Sequence, residues 1–254
     1  MPAPVQEKEM GKSMKREITQ HKIQSCLIPE KLRLAVAPDI HSSPYEDVLD
    51  IFAQCDAVLI PGDLVDRHRR DNRNAIRFLQ EVPEIVPVFY SLGNHEVKYR
   101  HADEWLERVR ESRAILLDNE SRVFRGIRLG GLSSRRKGPP DTDFLDRFEK
   151  EDGFRILLCH HPEVYRDYVR GRDIDFTLCG HAHGGQIQIR GQGLYSPGQG
   201  LFPKLTHGLH DGGRMLISRG MTNGAKPRIP RIGNPCELIL LELEPEKGEK
   251  GNES

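Results

Sequence analysis

The stretch "AVLIPGDLVDR", residues 57–67, runs from four apolar residues through Pro61 and Gly62 to two carboxylates, Asp63 and Asp66. The apolar run reads as a mostly buried strand. The carboxylates follow it directly, and ligands bind at the carboxyl ends of strands in α/β sheets. The same order recurs along the chain. "LRLAVA" (32–37) leads to Asp39 and His41, and "PVFYSL" (87–92) leads to Asn94 and His95. "RILLC" (155–159) leads to His160 and His161, and "DFTLC" (175–179) leads through Gly180 to His181 and His183. Each motif alone has the composition of an ordinary turn, a helix cap or a core histidine. Together, five strands in succession end in carboxylate, amide or imidazole groups. Six of the eleven histidines (His41, His95, His160, His161, His181 and His183) sit in these motifs, which scattered surface loops would not produce.

Between the strands, "YEDVLDIFAQ", "NAIRFLQEV", "HADEWLERVRES" and "DTDFLDRFEKE" repeat apolar residues at three- and four-residue steps, which predicts helices. "RMLIS" (214–218) and "CELILLELE" (236–244) read as closing strands. Strand–helix alternation predicts a layered α/β domain with partly parallel pairing. The glycine-rich stretch 184–235 is expected to form loops and short strands. One domain over 23–244 is expected. A polar N-terminal segment, 1–22, with a strand around Ile18–Ile23, precedes it, and a charged tail, 245–254, follows.

With 37% hydrophobic and 30% charged residues, the chain has the composition of a globular protein with a sizeable core. The 38 basic residues balance the 38 acidic ones, which argues against wrapping nucleic acid through bulk charge. Five cysteines without a C-x-x-C pair argue against a disulfide framework or a zinc ribbon, so the cysteines read as small buried apolar residues. The N-terminus lacks the apolar stretch of a secretory signal, and no run approaches a membrane span. A cytoplasmic protein, with peripheral membrane association as a further expectation, follows from this reading.

Imidazole nitrogens mixed with carboxylate and amide oxygens suit manganese, iron, zinc or cobalt rather than a calcium cage or a structural zinc site. The candidates are too many for one ion with an open position, so two are implied. Asp63 is the natural bridge, because each carboxylate oxygen carries its own lone pairs. Glycine ahead of a ligand, as at Gly62, Gly93 and Gly180, lets the backbone turn as it leaves the strand, and Gly184 and Gly185 after His183 are expected to leave room beside it.

These motifs resemble those of the calcineurin-like metallophosphoesterases. Asp39-Ile40-His41, Gly62-Asp63-Leu64-Val65-Asp66, Gly93-Asn94-His95-Glu96, His160 and Gly180-His181-Ala182-His183 follow the family's order. The continuation "HGGQ…YSPGQGLFPK" and the later "SRGM" look like its small bacterial single-domain phosphodiesterase branch. The resemblance implies a four-layer αββα sandwich of two mixed sheets flanked by helices, with a dinuclear site. Carried over, Asp39, His41, Asp63 and His183 would hold one divalent ion, with manganese expected. Asp63, Asn94, His160 and His181 would hold the other, with His161 competing for the role of His160. Pro38, before the first aspartate, departs from the family's usual small residue.

The reading is a phosphohydrolase, foremost a phosphodiesterase, working by in-line attack of a bridging hydroxide on a phosphate ester. His95 would protonate the leaving oxygen and Asp66 would orient it, the latter as the resemblance implies. Arg67, Arg69 and His161 are candidates for the substrate phosphate, for which Gly184 and Gly185 are expected to leave room. A second basic run, Arg135 to Lys137, reads as a solvated loop. Leu201 and Phe202 read either as core or as an apolar rim for a lipidic substrate. The alternatives are a nucleotide-diphosphate-lipid hydrolase, a phosphoprotein phosphatase, a nuclease and an inactive metal-binding scaffold. Neutral charge and the lack of a basic–aromatic stripe weigh against nucleic acid as a partner.

Overall fold

The computed structural model describes residues 16–223 and 230–246; the remainder of the polar N-terminal segment and of the charged tail lies outside the described residues. In chain order the first strands are β1 (Arg16–Ser25), β2 (Leu32–Val36), β3 (Ala57–Ile60), β4 (Val88–Tyr90) and β5 (Ile115–Leu116). Then come β6 (Glu120–Phe124), β7 (Ile127–Leu132), β8 (Arg155–Cys159) and β9 (Phe176–Cys179). Short pieces follow: β10 (Gln188–Ile189), β11 (Gln192–Gly193), β12 (Tyr195–Ser196), β13 (Gly200–Leu201) and β14 (Gly208–His210). β15 (Met215–Ile217) and β16 (Cys236–Pro245) complete the set. The α-helices are α1 (Leu49–Phe52), α2 (Arg73–Ile85), α3 (Asn94–Val97), α4 (Ala102–Glu111), α5 (Thr142–Phe148) and α6 (Pro162–Val164).

Two six-stranded sheets form, in the orders β1-β16-β2-β3-β4-β5 and β14-β15-β9-β8-β7-β6. β2 to β5 run parallel, as do β7, β8, β9 and β15, and each sheet also carries antiparallel pairs. The strand expected near Ile18 spans Arg16–Ser25 and pairs in parallel with β16 along its whole length.

Alternation along the strands decides the layers. Leu34, Val36 and Leu59 face the second sheet, where they meet Leu129, Ile156, Leu158, Phe176 and Leu178. Ala35, Val58 and Ile60 point the other way, onto Phe78, Leu79 and Val82 of α2 and Trp105 and Val109 of α4. Those helix residues recur at three- and four-residue steps, so each helix presents one apolar face. On the far side, Leu157, Cys159 and Ile217 pack against Phe144 and Phe148 of α5. The side chain of Asp141 starts that helix by accepting from the Phe144 amide at 2.9 Å. The result is the αββα sandwich that the sequence resemblance implied.

The five cysteines are free; Cys159 and Cys179 are buried as expected, whereas Cys55 and Cys236 are half-buried and Cys26 is exposed. Among the described residues no helix is long and apolar enough to cross a membrane. Stretch 186–213 forms two small hairpins plus β14, in agreement with the expectation of loops and short strands.

Leu129 is fully buried between the sheets on a strand that carries none of the site motifs. Leu129→Ala should destabilise the chain by about 2–5 kcal/mol. Urea unfolding monitored by circular dichroism is expected to show a lower midpoint with an unchanged slope.

Candidate functional site

The five strand ends meet. β2, β3 and β4 deliver Asp39, His41, Asp63, Asn94 and His95 from one sheet, and β8 and β9 deliver His160, His161, His181 and His183 from the other. Asp39, His41, Asp63, Asn94, His95, His160 and His183 are all buried. The backbone is strained where it carries them: Asp39, His41, Asp63, His181 and His183 have φ of 57°, 47°, 58°, 67° and 46°. Non-glycine residues hold such angles only where surrounding bonds enforce them. Here the Asp39 and His41 amides donate to the carbonyls of Gly62 and Asp63, and the Thr222 amide donates to the Asp39 carbonyl.

Asp63 lies at the centre. Its Oδ1 accepts from the His95 amide at 2.8 Å, and its Oδ2 lies 3.1 Å from His160 Nε2. His41 Nε2 and His95 Nε2 are 3.9 and 4.0 Å from the same oxygen. On the other side, Asp39 Oδ1 is 3.7 Å from both His41 Nε2 and His183 Nε2, and these two nitrogens are 3.3 Å apart. Candidate ligand groups result: Asp39, His41 and His183; His160, His161 and His181; and His41, Asp66 and His95, while Asp39, Asp63 and His160 link the first two.

The ring tautomers suit cation binding. His160 Nδ1 donates to the Pro61 carbonyl at 2.8 Å and His183 Nδ1 to the Thr222 carbonyl at 3.0 Å, which leaves both Nε2 atoms facing the site. His160 Nε2 faces the Asp63 carboxylate, 3.1 Å away, and Asn94 Oδ1 is buried and makes no hydrogen bond among the described residues. Orphaned polar atoms of this kind are costly unless a ligand takes their lone pairs. The residues present therefore fit divalent ions.

Charge follows the same geometry. Burial would raise the Asp63 carboxyl, yet the His160 and His95 rings hold it well below the ordinary range. Burial works against a proton on His160, but the Asp63 and Asp39 carboxylates outweigh it and raise this ring to about 10. Burial lowers His183 to about 4, and burial with the neighbouring His160 lowers His161 to about 3, so both are neutral.

The remaining candidates separate. His95 Nδ1 lies 3.3 Å from Asp66 Oδ1 and 3.2 Å from the Arg67 amide. Nδ1 can accept from the Arg67 amide or, when it carries a proton, donate to Asp66. Nε2 points toward Asp63. Arg67 and His161 line the cleft with His68, Lys98 and Tyr195. Arg69 turns to Asp66, 3.7 Å away, and is not part of the cleft lining. His161 lies beside His160 and His181: its Nδ1 meets Ser134 Oγ at 3.1 Å and its ring lies 4.2 Å from that of His181.

Two expectations about glycines change. A Cβ on Gly93 would sit 2.1 Å from Asp63 Oδ1, so closeness to the carboxylate, rather than a sharp turn, excludes a side chain there. Gly184 and Gly185 were expected to leave room for a phosphate. They instead leave room for Asn234 and Gly193, because a Cβ would meet those residues at 2.1 and 2.5 Å.

Sequence reasoning missed Glu96, whose buried carboxylate accepts from the amides of Asp63, Val65 and Gly93 at 2.9, 3.1 and 2.7 Å. Its signal was available, since an acidic residue three positions after a helix cap can reach back to cap the first turn. Thr222, Arg231 and Asn234, which hold the His183 turn, carry no such signal.

A family model described as calcineurin-like phosphoesterase matches residues 32–185. An uncharacterized metallophosphoesterase of Campylobacter jejuni is 30% identical over 240 residues, covering 88% of this chain and 61% of that protein. One from Helicobacter pylori is 29% identical over 173 residues, covering 63% and 46%. The phosphodiesterase YaeI of Escherichia coli is 27% identical over 151 residues, covering 56% and 53%. The chain thus spans about half to three-fifths of the length of these relatives.

An ion bound at His160 Nε2 must displace the proton that Asp63 and Asp39 hold there up to about pH 10. Calorimetric titration with manganous ion at pH 8, in buffers of differing ionisation enthalpy, should therefore show proton release, and affinity should rise with pH toward 10. In the ion-free chain the sign reverses. The stabilisation from His160 is full below its ordinary value of 6.5 and lost as pH rises through about 10. Binding without proton release would contradict this account.

Proposed function

The chain belongs to the calcineurin-like phosphoesterase family, and from that premise we propose that it is a dinuclear metal-dependent phosphodiesterase acting at the cleft around Asp63. The observation that carries the proposal is the convergence of the Asp39–His41–His183 and Asp39–Asp63–His160 groups on two buried carboxylates, Asp39 and Asp63. In this reading Asp39, His41, Asp63 and His183 hold one cation. Asp63, Asn94, His160 and His181 hold the other. A donor set of nitrogen and oxygen without thiolate suits manganese, with zinc, iron and cobalt as alternatives. When bound, such a pair of ions activates water and neutralises charge on the phosphate oxygens.

The chain's own residues supply the rest. His95 points its Nε2–H into the cleft, where a leaving oxygen can take the proton. Asp66 accepts from Nδ1–H of the protonated ring and so orients the ring for that transfer. Arg67 and Lys98, on the cleft wall, offer positive charge to the phosphate. His161 lines the same wall with a neutral ring.

A second reading, a hydrolase of nucleotide-diphosphate-linked lipids, is favoured by one feature. A cavity of about 460 Å³ adjoins the cleft, with Gly198 lining both. Phe202, Leu205 and Met215 give it apolar walls, and Arg166, Arg170 and Lys204 give it positive charge. Leu201 and Phe202 are exposed rather than core, at 71% and 66%. An ester with an apolar arm and a second anionic group matches that lining.

A panel of mono- and diesters, including a nucleotide-diphosphate-linked lipid, assayed with manganese, zinc, magnesium and cobalt tests both readings. Preference for simple diesters supports the first reading and preference for the lipid supports the second; hydrolysis of none by the ion-loaded chain sinks both. His95→Ala should lower turnover by about 10²–10⁴-fold with ion content unchanged. Loss of ions together with activity would make His95 a ligand.

A further inference from the structure

The residues after Pro230 lie against the turn that carries His181 and His183. The Gln188 amide donates to the Ile232 carbonyl at 2.8 Å, and Ile187 bridges Ile232. Asn234, buried, donates from Nδ2 to the His183 carbonyl at 2.7 Å and to the Gln186 carbonyl at 3.0 Å. Gly184 passes so close that no side chain fits between it and the Asn234 amide.

Arg231 occupies the other side of this turn. Its Nη2 donates to the carbonyls of Arg219 and Thr222 at 2.6 and 2.9 Å, its Nε to Asn223 Oδ1 at 2.7 Å and its Nη1 to the Pro235 carbonyl at 3.2 Å. Among the described residues no carboxylate forms an ion pair with it. A half-buried guanidinium that spends its donors on carbonyls holds backbone in place rather than neutralising charge. One of those carbonyls, that of Thr222, also accepts from His183 Nδ1 at 3.0 Å. Arg231 Nη2 lies 3.2 Å from the same ring nitrogen because both donors converge on one oxygen. The opposite nitrogen, His183 Nε2, is thereby aimed at His41 Nε2 and Asp39.

We propose that Arg231, together with Asn234, is a positioning residue for His183: it pins the Thr222 carbonyl that orients the ring, so that Nε2 meets the ion held by Asp39 and His41. The proposal rests on the metal-site reading above. It confines the effect of Arg231 to one of the two ions, because His160 is oriented separately, by Pro61. Lysine in this place keeps the charge but has no planar fork to span several carbonyls.

Titration with manganous ion alone, for the unaltered chain, Arg231→Lys, Asn234→Ala and Arg155→Lys, tests it. Arg155 is a buried guanidinium bound to Asp175 and Asp173, away from the site, so Arg155→Lys reports general destabilisation. The expected result is two ions on the unaltered chain and on Arg155→Lys. Arg231→Lys should bind one ion unchanged and the other about 10–100-fold more weakly. Asn234→Ala should weaken the same ion, and it decides the matter if Arg231→Lys does not fold. Unchanged affinities in the position-231 and position-234 variants, with only a lowered melting temperature like that of Arg155→Lys, would overturn the proposal. An unaltered chain that binds no ion would overturn the metal-site reading, and this proposal with it.

Discussion

A fully buried carboxylate, Asp63, is the constraint on which the rest of the site depends. Removing an ion from water costs several kcal/mol even after relaxation, so a buried charge persists only with partners arranged around it. Here the His95 amide meets one oxygen and His160 Nε2 approaches the other. Glu96 holds the Asp63 amide from behind, and Gly93 has no side chain because Asp63 already fills that space. Glu96 is itself pushed up, first by burial and then by the Asp63 charge. Three carboxylates, Asp39, Asp63 and Glu96, thus share a small buried volume, and positive charge within it relieves their repulsion.

The two-sheet architecture makes that crowding possible. Each sheet delivers candidate ligands from its carboxyl ends, and the core between the sheets fixes one set against the other. Strained, left-handed backbone at Asp39, His41, Asp63, His181 and His183 turns each residue back toward the centre as it leaves its strand. The energy of those conformations is offset by the buried core and by amide bonds linking neighbouring loops, such as His41 to the Asp63 carbonyl.

Much of this was legible in residue order. A buried apolar run followed at once by a polar ligand type is a local pattern, and it located Asp39, His41, Asp63, Asn94, His95, His160, His181 and His183. The helical periods around Phe78 and Trp105 were equally local and anticipated α2 and α4. The pairing of Arg69 was not legible: two arginines of one basic run diverge, Arg67 to the cleft wall and Arg69 to Asp66. Their sequence context is nearly the same, and only the path of the loop separates them. The glycines after His183 were misread for a related reason, since the groups that fill the space beside them, Asn234 and Gly193, come from elsewhere in the chain.

By itself the sequence determined the layered α/β class, the strand-end location of the site and the kinds of donor atom it offers. These are properties of short segments, set by apolar periodicity and by side-chain chemistry. Only the tertiary structure decided which face of each imidazole is free, which cavity adjoins the cleft and what supports the His183 turn. Those features depend on contacts between residues far apart in the chain, such as Arg231 with the Thr222 and Arg219 carbonyls. A carbonyl acceptor is present at every residue, so composition and spacing cannot single out the ones that a half-buried guanidinium will reach.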